Sequence, residues 1–231
     1  LKKLSKRVWE SGVFNKTVIT SGPTIEPIDP VRYLSNRSSG KTGYYIALEA
    51  LKRNLNEVVF ITGPTSLLPS GCRCIEIETA MEMRSSVMEY AADADIIIMA
   101  AAVCDYRAKR IRSQKIKKSA GEMQLELVKN PDILREIGSQ KRKNQLLVGF
   151  AAETRHIFSN ATKKLREKNL DLLVLNQISE TNPAFDVDTN QVYFMTASDI
   201  DELPVLRKNE IAVKLWDKIV EVWTAKTGRE I

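Results

Sequence analysis

Along this chain, short runs of β-branched and aliphatic residues alternate with stretches whose apolar positions recur every three to four residues. Residues 17–20, 58–61, 73–77, 146–150 and 172–175 read as short strands, and 95–102 is apolar with no polar alternation at all. Between them, 44–52, 80–92, 131–138, 156–168 and 209–224 carry the amphipathic period of helices. Strands this apolar must be covered on both faces, and strands that alternate with helices form parallel β-α-β units. The pattern predicts an α/β fold: a doubly wound, mainly parallel, Rossmann-like sheet with right-handed crossovers. Ligands of such sheets bind beyond the carboxyl ends of the strands. That rule gathers Ser21 and Gly22, residues 100–105, residues 150–154, and Asn176 with Gln177 onto one rim.

Two stretches depart from the alternation. Residues 106–129 are too long and too charged for a simple crossover, and within them 123–127 alternate like a solvent-facing strand. Residues 190–195, with the Asp-rich turn after them, read as a β-hairpin. Both are expected as β-excursions that cover a site or build a dimer contact. Residues 1–16 are expected to be a linker or accessory segment, and 17–231 one domain.

The longest loop, 20–43, holds far more turn chemistry than a strand-to-helix connection needs, and such loops usually carry function. It ends Ser38-Ser39-Gly40-Lys41-Thr42-Gly43 before the predicted helix. Serines there can cap the first N–H groups, and open N–H groups with the helix dipole form a phosphate seat. An ordinary capped helix behind a long loop is the other reading. Two common phosphate motifs are excluded. A P-loop ending at Gly40-Lys41-Thr42 needs glycine where Ser35 stands, and no G-x-G-x-x-G follows the first strand.

Composition narrows the class. The chain has 231 residues, 43% hydrophobic and 28% charged, as soluble globular proteins have. No apolar run approaches the roughly 20 residues of a membrane span, and the charged start does not read as a secretory signal. The lack of an initiator Met suggests a fragment of a larger protein. Cysteines number three, Cys72, Cys74 and Cys104. Their odd count points to free thiols in a reducing cytoplasm, and with His156 the single histidine a structural zinc site is not expected. Net charge is +6, and Arg107, Lys109, Arg110, Arg112, Lys115, Lys117 and Lys118 crowd one acid-free stretch. So local a patch suits one polyanionic ligand better than a nucleic-acid footprint.

Taken in order, several motifs now identify a family. They are Ser21-Gly22-Pro23-Thr24 with Glu26-Pro27-Ile28-Asp29-Pro30-Val31-Arg32, then Ser35-Asn36-Arg37-Ser38-Ser39-Gly40-Lys41, then Ala101-Ala102-Val103-Cys104-Asp105-Tyr106. Lys115-Ile116-Lys117-Lys118, Asn130-Pro131-Asp132-Ile133 and Val148-Gly149-Phe150-Ala151-Ala152-Glu153-Thr154 continue the series. Together they resemble bacterial phosphopantothenoylcysteine synthetase, over residues 17 to about 222. The resemblance implies CTP-dependent ligation of 4′-phosphopantothenate with L-cysteine in coenzyme A biosynthesis, through an acyl-cytidylate, with Mg2+ accompanying the triphosphate. It also implies a domain often fused behind an FMN-dependent decarboxylase domain that would precede Leu1. A homodimer is expected from the alternating segments 123–127 and 192–195, whose unpaired edges tend to find partners.

By resemblance, Gly22, Ser38, Gly40 and Gly43 supply the phosphate loop, and Lys164 and Lys168, four apart on one helical face, reach a common ligand. Met99, Ala100, Ala101, Asp105, Asn130, Pro131, Asp132, Ile133 and Phe150 match nucleotide-binding positions. Asn36 matches the asparagine that holds the acyl intermediate. Lys115 matches a lysine of the second half-reaction, and residues 117–121 resemble a flap that closes over it. Cys104 stands where the family usually has alanine, and Val174-Leu175-Asn176-Gln177 where it more often reads Val-Ala-Asn-Asp. The metal ligands are not identified. Two rival readings stay open: an NAD(P)-dependent oxidoreductase on the same architecture, and a nucleic-acid-binding module built on the basic stretch. No membrane partner is expected.

Overall fold

A strand that is apolar on both sides must bury both, and β1 (Lys16–Ser21) does so at the centre of the molecule. Val18 enters one core and Ile19 the other, both with no exposed surface. The computed structural model describes residues 14–117, 121–178 and 187–228. After β1 come a small antiparallel hairpin, β2 (Ile25–Pro27) with β3 (Tyr33–Ser35), and helix α1 (Lys41–Lys52). Strands β4 (Glu57–Thr62) and β5 (Arg73–Glu76), helix α2 (Ala80–Ala91) and strand β6 (Ile96–Met99) follow. A ribbon of β7 (Tyr106–Ala108) and β8 (Leu127–Lys129) leads to α3 (Ile133–Gln140), β9 (Leu146–Glu153), α4 (Ile157–Glu167) and β10 (Leu172–Gln177). Last come β11 (Thr189–Asn190), β12 (Val192–Met195), β13 (Ile200–Glu202), β14 (Leu206–Arg207) and α5 (Lys208–Thr227).

Eight strands form the main sheet in the order β13-β12-β10-β9-β6-β1-β4-β5. Its six parallel strands, β5-β4-β1-β6-β9-β10, run 3-2-1-4-5-6 in chain order, the Rossmann arrangement that the sequence predicts. Winding reverses between β1 and β6, so the crevice opens at their carboxyl ends. Helices α1 and α5 cover one face, where Trp216 is fully buried and donates its Nε1–H to the Ile46 carbonyl at 3.0 Å. Helices α2, α3 and α4 cover the other through Met83, Val87, Ile137 and Leu165.

Four expectations shift. The strand 192–195 is not an excursion: it joins the main sheet antiparallel to β10, with Val192, Phe194 and Met195 buried. Its hairpin partner β13 forms the sheet edge. In the basic excursion the strand lies at 127–129, not 123–127, because β8 pairs with β7 only from Leu127 on. Helix α1 starts three residues earlier than its apolar period, at Lys41. Finally, packed structure begins before Thr17: Phe14 is buried, with its ring edge against Trp223 at 5.0 Å. Residues 1–13 lie outside the described residues.

Candidate functional site

The crevice between β1 and β6 is stitched by the backbone. The Ala102 N–H donates to the Gly22 carbonyl at 2.9 Å, and the Thr24 N–H to the Ala102 carbonyl at 3.3 Å. Thr20 Oγ1 accepts from the Ala101 N–H at 3.1 Å, and Thr24 Oγ1 from the Cys104 N–H at 2.9 Å. On this frame sits Asn36, exposed, with Nδ2 donating to the carbonyls of Val103 (2.9 Å) and Ala102 (3.3 Å). Two carbonyl partners can only face the NH2 end of the amide, so its orientation is fixed. Loop 22–40 and the turn after β6 therefore meet at Asn36.

Glycine closes the phosphate-loop candidate. Gly22 and Gly40 both hold left-handed backbone, at φ 71° and 75°. Gly43 packs so tightly that a Cβ there would stand 2.4 Å from Ser21 Oγ. All three are buried, which leaves Ser38 as the candidate of this loop whose side chain reaches solvent. Serine does not cap α1: its N-cap is Gly40, with no side-chain cap bond, and Ser21 Oγ instead donates to the Gly40 carbonyl at 2.9 Å. The first N–H groups of α1 thus keep the orientation and dipole of an anion seat. Lys41 stands in this first turn and pairs with Asp188 at 2.6 Å. The hydrogen bond and charge of Lys41 hold the Asp188 carboxyl below its ordinary value.

Lys115 is exposed one residue before a backbone clamp that composition and motif spacing did not reveal. Buried Asp29 accepts the Ile116 N–H at 3.1 Å, while Arg32 Nη2 donates to the Ile116 carbonyl at 2.5 Å. Burial alone would raise the Asp29 carboxyl, but the N–H groups of Ile116, Val31 and Arg32 and the Arg32 charge outweigh it and hold it low. The clamp fastens the segment bearing Lys115 to the loop bearing Asn36. Beyond it lies a cavity of about 550 Å³ lined by Lys109, Arg110, Arg112 and Met123 among others. Residues 118–120 of the expected flap lie outside the described residues.

The nucleotide candidates divide by exposure. Met99 and Ile133 are buried in the second core, so only their backbone can meet a ligand. Asn130 is engaged: Nδ2 donates to the Cys104 carbonyl at 2.8 Å, Oδ1 accepts from Arg107 at 2.9 Å, and its N–H donates to the Asp105 carbonyl at 2.8 Å. Ala100, Ala101, Pro131 and Phe150 are half-buried, whereas Asp105 is exposed. Asp132 caps α3 through the Arg135 N–H and pairs with Lys168 at 3.0 Å. Lys164 pairs with Glu153 at 2.5 Å. Each lysine thus has its own carboxylate within the chain. Cys104 is buried beneath the crevice, and burial pushes its thiol up from the ordinary value.

Comparison with known proteins places the chain in a family with this fold. The family model described as "DNA/pantothenate metabolism flavoprotein C-terminal domain" matches residues 14–222. A Bacillus subtilis protein named coenzyme A biosynthesis bifunctional protein CoaBC is 43% identical over 214 residues, 91% of this chain and 52% of that one. A protein of an unknown prokaryotic organism, named cysteine/cysteine sulfinic acid decarboxylase, is 40% identical over 93% of this chain and 61% of its own. The chain therefore spans just over half the length of the curated relatives it matches. The solved C-terminal domain of CoaBC superposes with a TM-score of 0.75 at 38% identity, covering 89% of this chain and 93% of that one. A Cab2 mutant in complex with phosphopantothenate-cysteine shares the fold, with a TM-score of 0.75 at 18% identity over 99% of this chain and 93% of that one.

Proposed function

The chain belongs to the family of DNA/pantothenate metabolism flavoprotein C-terminal domains, and from that membership we propose that it joins 4′-phosphopantothenate to L-cysteine at the expense of CTP. The observation that carries the proposal is that the loop between β1 and α1 brings Asn36 against the turn after β6, ends at the open N-terminus of α1, and is clamped through Asp29 and Arg32 to the segment bearing Lys115. The relatives named for coenzyme A biosynthesis and the complex of Cab2 with phosphopantothenate-cysteine support this substrate class.

The reaction brings a triphosphate and a phosphorylated carboxylate into one cleft. Their mutual repulsion must be offset by donors and cations placed where charge develops. A carboxylate oxygen of phosphopantothenate attacks the α-phosphorus of CTP, and pyrophosphate leaves. The amine of cysteine then attacks the acyl carbon, loses a proton and displaces CMP. Asn36 holds the acyl group, with its amide oriented by the Val103 and Ala102 carbonyls. Ser38 and the first N–H groups of α1 hold phosphate. Lys115 steadies the phosphate of departing CMP. Asp105 accepts from the sugar hydroxyls, and the backbone of 99–101 and 130–133, with Phe150, frames the base. Lys164 and Lys168 reach the nucleotide by exchanging Glu153 and Asp132 for phosphate oxygens.

Among the described residues no three His, Cys, Asp or Glu side chains cluster as a protein-only metal cage needs. A Mg2+ carried by the triphosphate asks for only one or two carboxylates beside phosphate and water, so it needs no such cage. When bound, it would offset phosphate charge. FMN belongs to a fused decarboxylase half, not to these residues. No helix among the described residues is long and apolar enough to cross a membrane, and we assign the enzyme to the cytoplasm as a homodimer.

The test is to supply CTP, ATP, GTP and UTP separately with phosphopantothenate and magnesium, and to measure pyrophosphate. CTP is expected to release it in the absence of cysteine, and cysteine to yield CMP and the amide. No release with any nucleotide, or NADH binding at the crevice in its place, would overturn the reading.

A further inference from the structure

Two of the three cysteines meet away from the rim. Cys72 and Cys74 flank Arg73 at the start of β5, the outermost strand on its side of the sheet, with their Sγ atoms 3.8 Å apart. Both sulfurs approach a single carbonyl oxygen, that of Pro69, at 3.6 Å from Cys72 and 3.5 Å from Cys74. The turn that returns this oxygen to the thiols runs through Gly71 in left-handed backbone, at φ 95°. Alternation along the strand places both thiols at the border of the first core and turns Arg73 the other way, over the Tyr90 ring at 4.9 Å. Both thiols are partly exposed, so a solute can reach them from solvent.

We propose that Cys72, Cys74 and the Pro69 carbonyl form a site for a thiophilic d10 cation of the class of Zn2+, Cd2+ and Cu(I). Two metal–thiolate bonds of about 2.3 Å at a tetrahedral angle set their sulfurs about 3.8 Å apart, which matches the 3.8 Å between Cys72 and Cys74. A disulfide requires the sulfurs to close to about 2.05 Å, so the pair is spaced for a bridging ion. Thiolate donors select a soft ion against Mg2+ and Ca2+, which take oxygen ligands. Among the described residues no third His, Cys, Asp or Glu joins the pair. The site is therefore a two-sulfur seat from which the ion exchanges, unlike a four-ligand structural zinc cage. Loading one divalent ion breaks two S–H bonds, forms two metal–sulfur bonds and sends two protons to the buffer. The thiols sit at the amino end of β5, so the site is separate from the carboxyl-end rim and does not depend on the ligase reading.

Cd2+ titrated into the full chain, kept reduced with a phosphine, should produce a thiolate-to-metal charge-transfer band that saturates at one ion per chain and releases two protons. X-ray absorption of the loaded wild type should count two sulfur neighbours, with oxygen completing the shell. Replacing both residues, Cys72→Ser with Cys74→Ser, should abolish the band, while Cys104→Ser should keep it. No band, a sulfur count other than two, or a band that survives in a folded double variant each overturns the proposal. The sulfur count is read on the wild type, so a variant that fails to fold does not remove the test.

Discussion

Asn36 and Lys115 carry separable parts of the proposed chemistry. Asn36→Ala removes the amide whose free Oδ1 accepts from the acyl intermediate, its NH2 being held by the Ala102 and Val103 carbonyls, and loss of such positioning lowers turnover on the order of 100-fold. It also removes two hydrogen bonds to loop carbonyls, a change of about 1 kcal/mol at so exposed a position. Assays of turnover and urea denaturation on one preparation check both; near-normal turnover would move the chemistry elsewhere on the rim. Lys115→Gln keeps reach and some hydrogen bonding but loses the charge that steadies departing CMP. Quenched reactions with labelled phosphopantothenate should show acyl-cytidylate accumulating with little amide formed. Failure to release pyrophosphate would instead make Lys115 a triphosphate ligand in the first step. The clamp at Ile116 lets such variants be read cleanly, because the backbone beside Lys115 is held by Asp29 and Arg32 and not by the lysine itself.

At the scale of elements, the junction of β1 and α1 is set by contact. Gly43 lies in the first turn of α1, where alanine would ordinarily favour the helix by about 1 kcal/mol. Its new Cβ, however, would meet Ser21 Oγ at 2.4 Å and Ser21 Cβ at 2.6 Å. Overpacking of this kind costs about 1–3 kcal/mol, so Gly43→Ala should lower the urea midpoint, and a raised midpoint would contradict the packing described. The same junction shows how far the sequence could be read. Periodicity placed every strand of the parallel sheet and the helix cores, because strands buried on both faces leave an apolar run that local composition preserves. It missed the start of α1, because Lys41 and Thr42 carry no apolar signal and the left-handed turn at Gly40 leaves none either. It misplaced residues 192–195, because an antiparallel edge addition alternates just as a free hairpin does until its neighbour is known. Motif resemblance marked the crevice, yet could not show that Met99, Ile133 and the loop glycines are buried, nor that Lys164 and Lys168 hold different carboxylates. Those are long-range facts. The Asp29–Arg32 clamp belongs with them, since its partner lies 87 residues away.

For the whole molecule, half of the large apolar side chains exposed among the described residues fall on two neighbouring excursions. Val31 and Tyr33 on the β2–β3 hairpin, and Tyr106, Ile111, Met123 and Leu127 on the β7–β8 excursion, all present large apolar area to solvent. Apolar groups gathered in this way mark an interaction surface, and a two-fold contact through it makes the proposed homodimer. Light scattering at micromolar concentration should give twice the chain mass, and Tyr33→Glu with Met123→Glu should halve it. A wild type that stays monomeric would sink the idea. The long closing helix has another consequence, one of timing. Helix α5 supplies Ile211, Leu215, Trp216, Ile219 and Trp223 to a core whose other walls, α1 and the face of the sheet, are made from residues far earlier in the chain. As the chain leaves the ribosome, Ile46, Phe60 and Val148 have no lid until the last helix emerges, and incomplete chains with open apolar faces are aggregation-prone. Among the described elements, the apolar face shared by α1 and the sheet is completed only by α5, so the yield of folded chain is expected to depend on what shields that face in the interval between.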